Sequence, residues 1–322
     1  MKKLLMSGLV LMSLGLVLAG CSSKSASGKD NLKVGILQVV QHGSLDEGRQ
    51  GFKAGLKQEL KAHHKSTKVT YHYLNAQGDQ ANLNTMSQQL VRQKNDLLVG
   101  IATPAAQALA KKTTTTPTLV TAVTDLKAAG LVKSNNKPQT NVSGTSDLTP
   151  VGLQLKLLAS MAKGKQPLGI MYNSSEENSV LQVNLAKAYA KKHHLNLKIV
   201  SATSTNDVTS VLAGLTGKVS GLYLPTDNLM ASAMKTIGQK AKVAKLPVVT
   251  GSIEMAEDGG TATYGINYYD LGKQTGKMAY DVLVNHKQPK NMAVEQSQKL
   301  HLYVNKANTK AIGMQTSQIK EP

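Results

Sequence analysis

Apolar runs of strand length alternate along this chain with stretches in which apolar positions recur at helical spacing. Residues 32–40 form a near-continuous apolar run, and Phe52, Leu56 and Leu60 follow on a single helical stripe. The pattern then predicts a strand at 69–74, a helix at 81–93, a strand at 96–101, a helix at 105–112 and an extended segment at 117–123. After a helix at 151–161 the scheme repeats. Strands are expected at 166–172, 195–202, 219–224, 246–250 and 261–266, and helices at 179–193, 207–215, 228–243 and 268–284. Such alternation requires parallel sheets with crossover helices, hence an α/β fold, and two such halves imply two lobes.

His63-His64 and His193-His194 each end the first helix of a half. Neighbouring helical residues point about 100° apart, so neither pair presents two ligands to one metal ion. They read as C-terminal turns, where polar or cationic side chains meet free carbonyls. No metal site is expected.

The N-terminus follows another logic. Met1-Lys2-Lys3 precedes a mostly apolar run at 4–18, then Leu18-Ala19-Gly20-Cys21 and a Ser/Lys/Gly/Ala stretch to residue 30. A basic start, a short apolar run and small residues at the cut make residues 1–20 a secretory signal. Ser7, Gly8, Ser13 and Gly15 interrupt a run already short for the ~20 apolar residues of a membrane span. The Leu18–Cys21 tetrapeptide resembles the lipobox of bacterial lipoproteins, in which the cysteine is acylated. Residues 21–30 are then the lipidated Cys21 and a flexible tether.

Composition narrows the function. The 322 residues carry 38 basic and 19 acidic side chains, a net charge of +19, which loss of Lys2 and Lys3 lowers to +17. Only Arg49 and Arg92 are arginines, and dispersed lysine suits solvated helix faces and an anionic envelope better than the arginine forks of nucleic-acid recognition. Phe52 is the single phenylalanine and tryptophan is absent, so base-stacking platforms are poorly supplied. One cysteine excludes an internal disulfide framework. No phosphate-cradling loop, dinucleotide fingerprint or nucleophile elbow appears, and the paired acids Glu176-Glu177 and Glu257-Asp258 sit at loop positions. Binding without catalysis and without a cofactor is expected.

In open parallel sheets, ligands lie beyond the carboxyl ends of the strands, where helix N-termini present free N–H groups. Six polar loops fall there: Gln41-His42-Gly43-Ser44, Thr103-Pro104-Ala105, Thr124-Asp125, Asn173-Ser174-Ser175-Glu176, Pro225-Thr226-Asp227-Asn228 and Gly251-Ser252-Ile253-Glu254. Each could equally cap a helix. Six along the facing edges of two sheets point to a cleft.

Seven ordered motifs stand out, five of which include loops of this edge: Val34 to His42, Asn75-Ala76-Gln77-Gly78-Asp79, Ile101 to Gln107, Thr121 to Asp125, Tyr172 to Glu176, Pro225 to Asn228 and Thr263-Tyr264-Gly265-Ile266. Together they resemble the tryptophan/tyrosine-type substrate-binding lipoproteins of bacterial ABC importers, over nearly all of 32–312. The resemblance implies the type I periplasmic-binding-protein fold, two parallel-sheet lobes joined by crossing strands. The division expected is 31–146 plus about 268–290 in one lobe and 147–267 plus about 291–322 in the other. It further implies an amino-acid cargo, expected aromatic, a permease and ATPase as partners, and a lipid-anchored extracytoplasmic location, expected in a Gram-positive bacterium. Other cargo of the same fold, or a sensory or adhesive surface role, are the alternatives.

A zwitterionic cargo needs donors for its carboxylate and an anion for its ammonium. The N–H groups of Thr103 and Ala105 suit the carboxylate, with Ser175 opposite. Asp227 is the first choice for the ammonium and Glu254 the second, and Asp227→Ala is expected to weaken binding more than tenfold with the fold intact. Gln41, Asn173 and Asn228 are expected at the rim, Thr124, Asp125 and Thr226 in the adjoining loops, and Tyr264 against the cargo's apolar part.

Overall fold

The computed structural model describes residues 31–297 and 299–322. The secretory signal, Cys21 and the tether expected within 1–30 lie outside the described residues. The first half runs β1 (Asn31–Gln38), α1 (Gly43–Ala62), β2 (Lys68–Asn75), α2 (Gln80–Arg92), β3 (Leu97–Ile101), α3 (Thr103–Ala110), β4 (Thr118–Val123) and β5 (Val142–Ser146). The second half opens with α4 (Val151–Met161), β6 (Leu168–Tyr172), α5 (Glu177–Lys192), β7 (Leu197–Ser201), α6 (Thr205–Leu215) and β8 (Gly221–Leu224). It continues with α7 (Asn228–Ser232), α8 (Met234–Val243), β9 (Val248–Thr250), α9 (Ile253–Asp258) and β10 (Ala262–Gly265). Then come α10 (Tyr268–Leu283), β11 (Glu295–Gln296), β12 (His301–Val304) and α11 (Lys306–Ala311).

Two six-stranded sheets result, ordered β11-β5-β4-β3-β1-β2 and β12-β10-β9-β8-β6-β7. All pairings are parallel except β10 with β12. Each sheet reverses strand order beside its first strand, which opens a crevice at the carboxyl ends of β1 and β3 and of β6 and β8.

Helix α10 returns to the first sheet because glycine lets two backbones meet. A Cβ on Gly51 would stand 2.0 Å from the Tyr269 carbonyl oxygen, and one on Gly272 would stand 2.0 Å from that of Gly48. The predicted stripe Phe52, Leu56 and Leu60 is buried beside Leu271, Met278 and Leu283 in one core. The paired histidines are helix stops. His63 stacks on Tyr280 at 4.9 Å and His193 on Tyr189 at 4.1 Å, while His64 and His194 take φ of 52° and 54° just past the helices.

Three features depart from the pattern. The helix expected at 228–243 breaks at Ala233 into α7 and α8. Strand β5 was absent from the hydrophobic pattern because its Ser143 and Thr145 are buried with their hydroxyls bonded, at 2.7 Å to the Met292 carbonyl and 2.8 Å to Thr275. Residues 291–296, expected with the second lobe, join the first sheet instead. Glu295 and Gln296 pair with Thr145 and Ser146, and Val294 N–H donates to the Asn135 carbonyl at 2.7 Å. Gln296 therefore closes β11 in the first sheet, and His301 opens β12 in the second.

Candidate functional site

The first-lobe wall is made of strained backbone and small side chains. Ala102, between β3 and α3, holds φ 78° and ψ 155°, a region that side-chain-bearing residues rarely enter. Ala122, where the β4–β5 register shifts, holds φ 57°. The bend at Ala102 starts α3 at the sheet edge, so the first-turn N–H groups of Thr103 and Ala105 have no intrahelical acceptor, and Thr103 lines the crevice while Ala105 is buried behind it. The Thr103 hydroxyl is buried without a partner.

The second-lobe wall is a network of bonded side chains. Asp227 accepts from Asn173 N–H at 2.6 Å and from Met230 N–H at 2.9 Å, capping α7. Glu176 accepts from Asn173 Nδ2 at 3.1 Å and from Asn228 Nδ2. Gln182 accepts from Thr226 N–H at 3.1 Å, and Asn178 Nδ2 donates to the Thr226 carbonyl at 3.1 Å. Burial raises the pKa of both Glu176 and Asp227, and the Asp227 charge pushes Glu176 further.

The walls touch. Gln107 Nε2 donates to Glu177 Oε2 at 2.8 Å, His42 Nε2 lies 3.4 Å from Asn228 Oδ1, and the Ser44 and Ser252 hydroxyls are 2.9 Å apart. Where the chain passes between sheets, the Tyr268 hydroxyl donates to Asp147 Oδ2, and Tyr268 N–H donates to Glu254 Oε1 at 3.0 Å. Burial raises Glu254 to about 7 and Asp147 to about 6, and lowers His42 to about 4.

Three hollows lie along the crevice. A groove of about 840 Å³ has the apolar surfaces Val39, Val40, Leu83, Pro104, Ala108 and Leu229 and the polar groups Gln107, Asn173, Glu176 and Asn228. A pocket of about 300 Å³ lies between Thr103, Asp125, Ser175 and Asn178. A chamber of about 10 Å³ is enclosed by residues including His42, Asp147, Asn178, Thr226, Asp227 and Tyr268. Ser175 and Glu177 line both larger hollows, Asn178 the pocket and the chamber, and Asn228 the groove and the chamber. They are parts of one interlobe cleft.

Residues 33–319 match the family of ABC transporter substrate binding proteins. The chain belongs to that family. The tyrosine-binding protein of Clostridioides difficile (strain R20291) is 34% identical over 309 residues, covering 93% of this chain and 89% of its own. A Streptococcus pneumonia ABC domain in complex with L-Trp superposes with a TM-score of 0.84 at 38% identity, covering 90% of this chain and 98% of its own. The ligand-free, open structure of a Clostridium difficile substrate binding protein with adhesive properties superposes at 0.67 with 39% identity, over 88% of this chain and 96% of its own. At nearly equal identity, this substrate-binding protein has a shape nearer the L-Trp complex.

The cleft of the binding protein gathers many of the anticipated residues. Thr103 and Asp125 line the pocket, Ser175 lines both larger hollows, Asn173 and Asn228 line the groove, and Thr226 and Asp227 line the chamber. Several are already engaged. Both Asp227 carboxylate oxygens hold backbone N–H groups, so it caps α7 and secures Asn173 while lining the chamber. Asp125 closes its own turn, accepting from Lys127 and Ala128 N–H at 2.9 Å each. Thr124 is buried beside Asp147 and gives its carbonyl to the Ser146 hydroxyl at 2.7 Å. Glu254 keeps Oε2 buried and unpartnered, but behind Tyr268.

Two expectations are displaced. Gln41 is exposed and outside all three hollows, and the next residue, His42, takes the interior place. Tyr264 packs on the second-lobe core with Leu155 and Leu302, because β10 turns that face to α4. Asp147, Asn178 and Tyr268 were missed. Asp147 falls in a segment with no strand or helix period, and Tyr268 reads as the first residue of an amphipathic helix.

Proposed function

We propose that this chain captures an aromatic amino acid, tryptophan or tyrosine, between its lobes and presents it to the permease of an ABC importer without altering it. The cross-cleft contact of the two walls carries the reading. A solute touching both walls favours the closed arrangement by its differential affinity, and a permease that engages the closed form reads occupancy. The strained turn at Ala102 offers the cargo carboxylate the Thr103 and Ala105 N–H groups and the free Thr103 hydroxyl. The ring of the cargo packs on Val39, Val40, Leu83 and Leu229 in the groove, whose 840 Å³ lies within the ~300–1,000 Å³ common for ligand sites. The C. difficile tyrosine-binding relative and the L-Trp complex support this cargo class.

Cys21 would carry the lipid that holds the domain outside the cell, with 22–30 as tether, and the two sheets would move as lobes about the passages near Asp147 and Tyr268. The test is a thermal-shift and calorimetry screen against amino acids, nucleosides and sugars. A ligand at about 100 times its Kd adds about 2.7 kcal/mol to native stability. L-Trp or L-Tyr should raise the melting temperature. A response to a sugar, with none to any aromatic amino acid, overturns the assignment.

A further inference from the structure

The small chamber between the lobes has a chemical bias. His42 Nδ1, Asp147 Oδ1, Asn178 Oδ1 and Thr226 Oγ1 are all buried in its wall without a hydrogen bond of good geometry, although the Thr124 side chain approaches Asp147 and the Thr226 side chain approaches the Tyr268 hydroxyl. Three of the four can only accept. Asn178 Nδ2 is committed to the Thr226 carbonyl at 3.1 Å, which turns Oδ1 the other way. Asn228 Nδ2 donates to Glu176, so Asn228 Oδ1 accepts from His42 Nε2–H, and the neutral ring is left with a bare Nδ1. The titratable groups of the wall are Asp147, Asp227, His42 and Tyr268, with Glu254 behind Tyr268, and no lysine or arginine lines it.

Buried acceptors around an unbalanced carboxylate are costly unless a cation with several donors fills the space. A volume of about 10 Å³ admits a group of roughly water size. We propose that this chamber seats the primary ammonium group of the cargo, with Asp147 as its counter-ion and Asn178 and His42 as further acceptors. This rests on the reading that the cargo is an amino acid, and it replaces Asp227 and Glu254 in that role. Asn178 lines both the chamber and the pocket holding Thr103, so the ammonium and carboxylate of one α-amino acid reach adjoining walls. Tyr268 holds Asp147 Oδ2 and leaves Oδ1 for the ligand.

The experiment compares L-Trp with indole-3-propionate, the same molecule without its amine, by calorimetry on the whole chain and on Asp147→Asn. Loss of one partner from a buried charge pair is commonly worth 30-fold or more, so the amine-free analogue should bind wild type about 100-fold more weakly than L-Trp. In Asp147→Asn, L-Trp should weaken by a similar factor while indole-3-propionate changes less than about threefold. Asn178→Ala should weaken L-Trp about tenfold. The wild-type comparison stands even should a variant fold poorly. Equal binding of the two ligands to wild type, or an equal loss of both in Asp147→Asn, overturns the chamber's role and leaves the aromatic cargo intact. Competition of L-Trp by calcium chloride alone would assign the chamber to a metal and also overturn it. Failure of every aromatic amino acid, with another primary amine binding in an Asp147-dependent way, removes the cargo reading and keeps this one.

Discussion

The two walls of the cleft are built of different materials. The first lobe presents main chain: Ala102 and Ala122 in left-handed conformations, a helix N-terminus, and one free hydroxyl on Thr103. The second presents side chains that bond one another, with Asn173, Glu176, Asn178, Gln182, Asp227 and Asn228 in one network. Main-chain donors suit a carboxylate, which needs N–H groups and no counter-charge at a helix start. The second wall gives Asn178 to the chamber in which Asp147 and His42 also stand. The asymmetry separates the roles of the lobes. Strain sits where the backbone bends at the sheet edge, and polar bonding sits where side chains hold one another.

Removing Asp227 should damage the second wall most. Asp227→Ala strips the α7 cap and the acceptor of a buried Asn173 N–H, and the two together should cost about 2–3 kcal/mol. Urea denaturation should show that loss even without ligand, in contrast to a residue serving the cargo alone. Asp227→Asn keeps one acceptor, relieves repulsion with Glu176 and should lose less. An unchanged midpoint for Asp227→Ala would mean that the network is not what holds this wall.

The first wall should respond to backbone rather than to charge. At φ 78° and ψ 155°, a β-branched side chain is disfavoured further, so Ala102→Val should destabilise by about 2 kcal/mol. Ala102→Gly relieves the strain at some unfolded-state entropy and should be neutral or stabilise by up to about 1 kcal/mol. The two variants thus shift the midpoint in opposite senses, or the second not at all. A midpoint lowered by glycine would remove strain from the account of this wall.

The lobes also differ in how pH acts on them. Glu254 and Asp147, raised to about 7 and about 6 by burial, and Glu176, raised in the same sense, hold protons in the native state that the unfolded chain has released. Their contribution is complete below the unfolded carboxylate range, near pH 4, and is lost as pH rises toward 7. His42, lowered to about 4, acts oppositely between about 4 and 6.5. Asp227 is raised as well, so four buried acids oppose one histidine, and the ligand-free melting temperature should be higher at pH 5.5 than at pH 8. Glu254→Gln keeps the acceptor for Tyr268 N–H and should flatten that fall. A melting temperature that climbs steadily to pH 8 would contradict the burial of these acids.

What the sequence could reveal follows the same division. Strands β1, β3 and β6 are apolar runs, and α1 is a clean stripe, so the two α/β halves and the cleft edge were readable from periodicity. The polar loops of the second lobe were readable because their residues carry the chemistry in their side chains. The strain at Ala102 was invisible, since alanine gives no sign of a left-handed backbone. Asp147 and Asn178 were hidden because their meeting in one chamber arises from segments more than 25 positions apart in the chain, and Asp227 stayed open to two readings because capping and ligand binding use the same carboxylate.

The smallest expected effect tests the contact between the walls. Gln107 Nε2 bridges to Glu177 Oε2 at 2.8 Å and also reaches the Ala129 carbonyl at 3.1 Å. Glu177 is exposed, so both groups regain water when the lobes part, and the bridge should contribute only about 0.5–1 kcal/mol to closure. Gln107→Ala should speed ligand dissociation about two- to fivefold and leave the association rate and the urea midpoint unchanged. Stopped-flow displacement of L-Trp measures this. A slower association with unchanged dissociation would place Gln107 on the entry path rather than across the closed cleft.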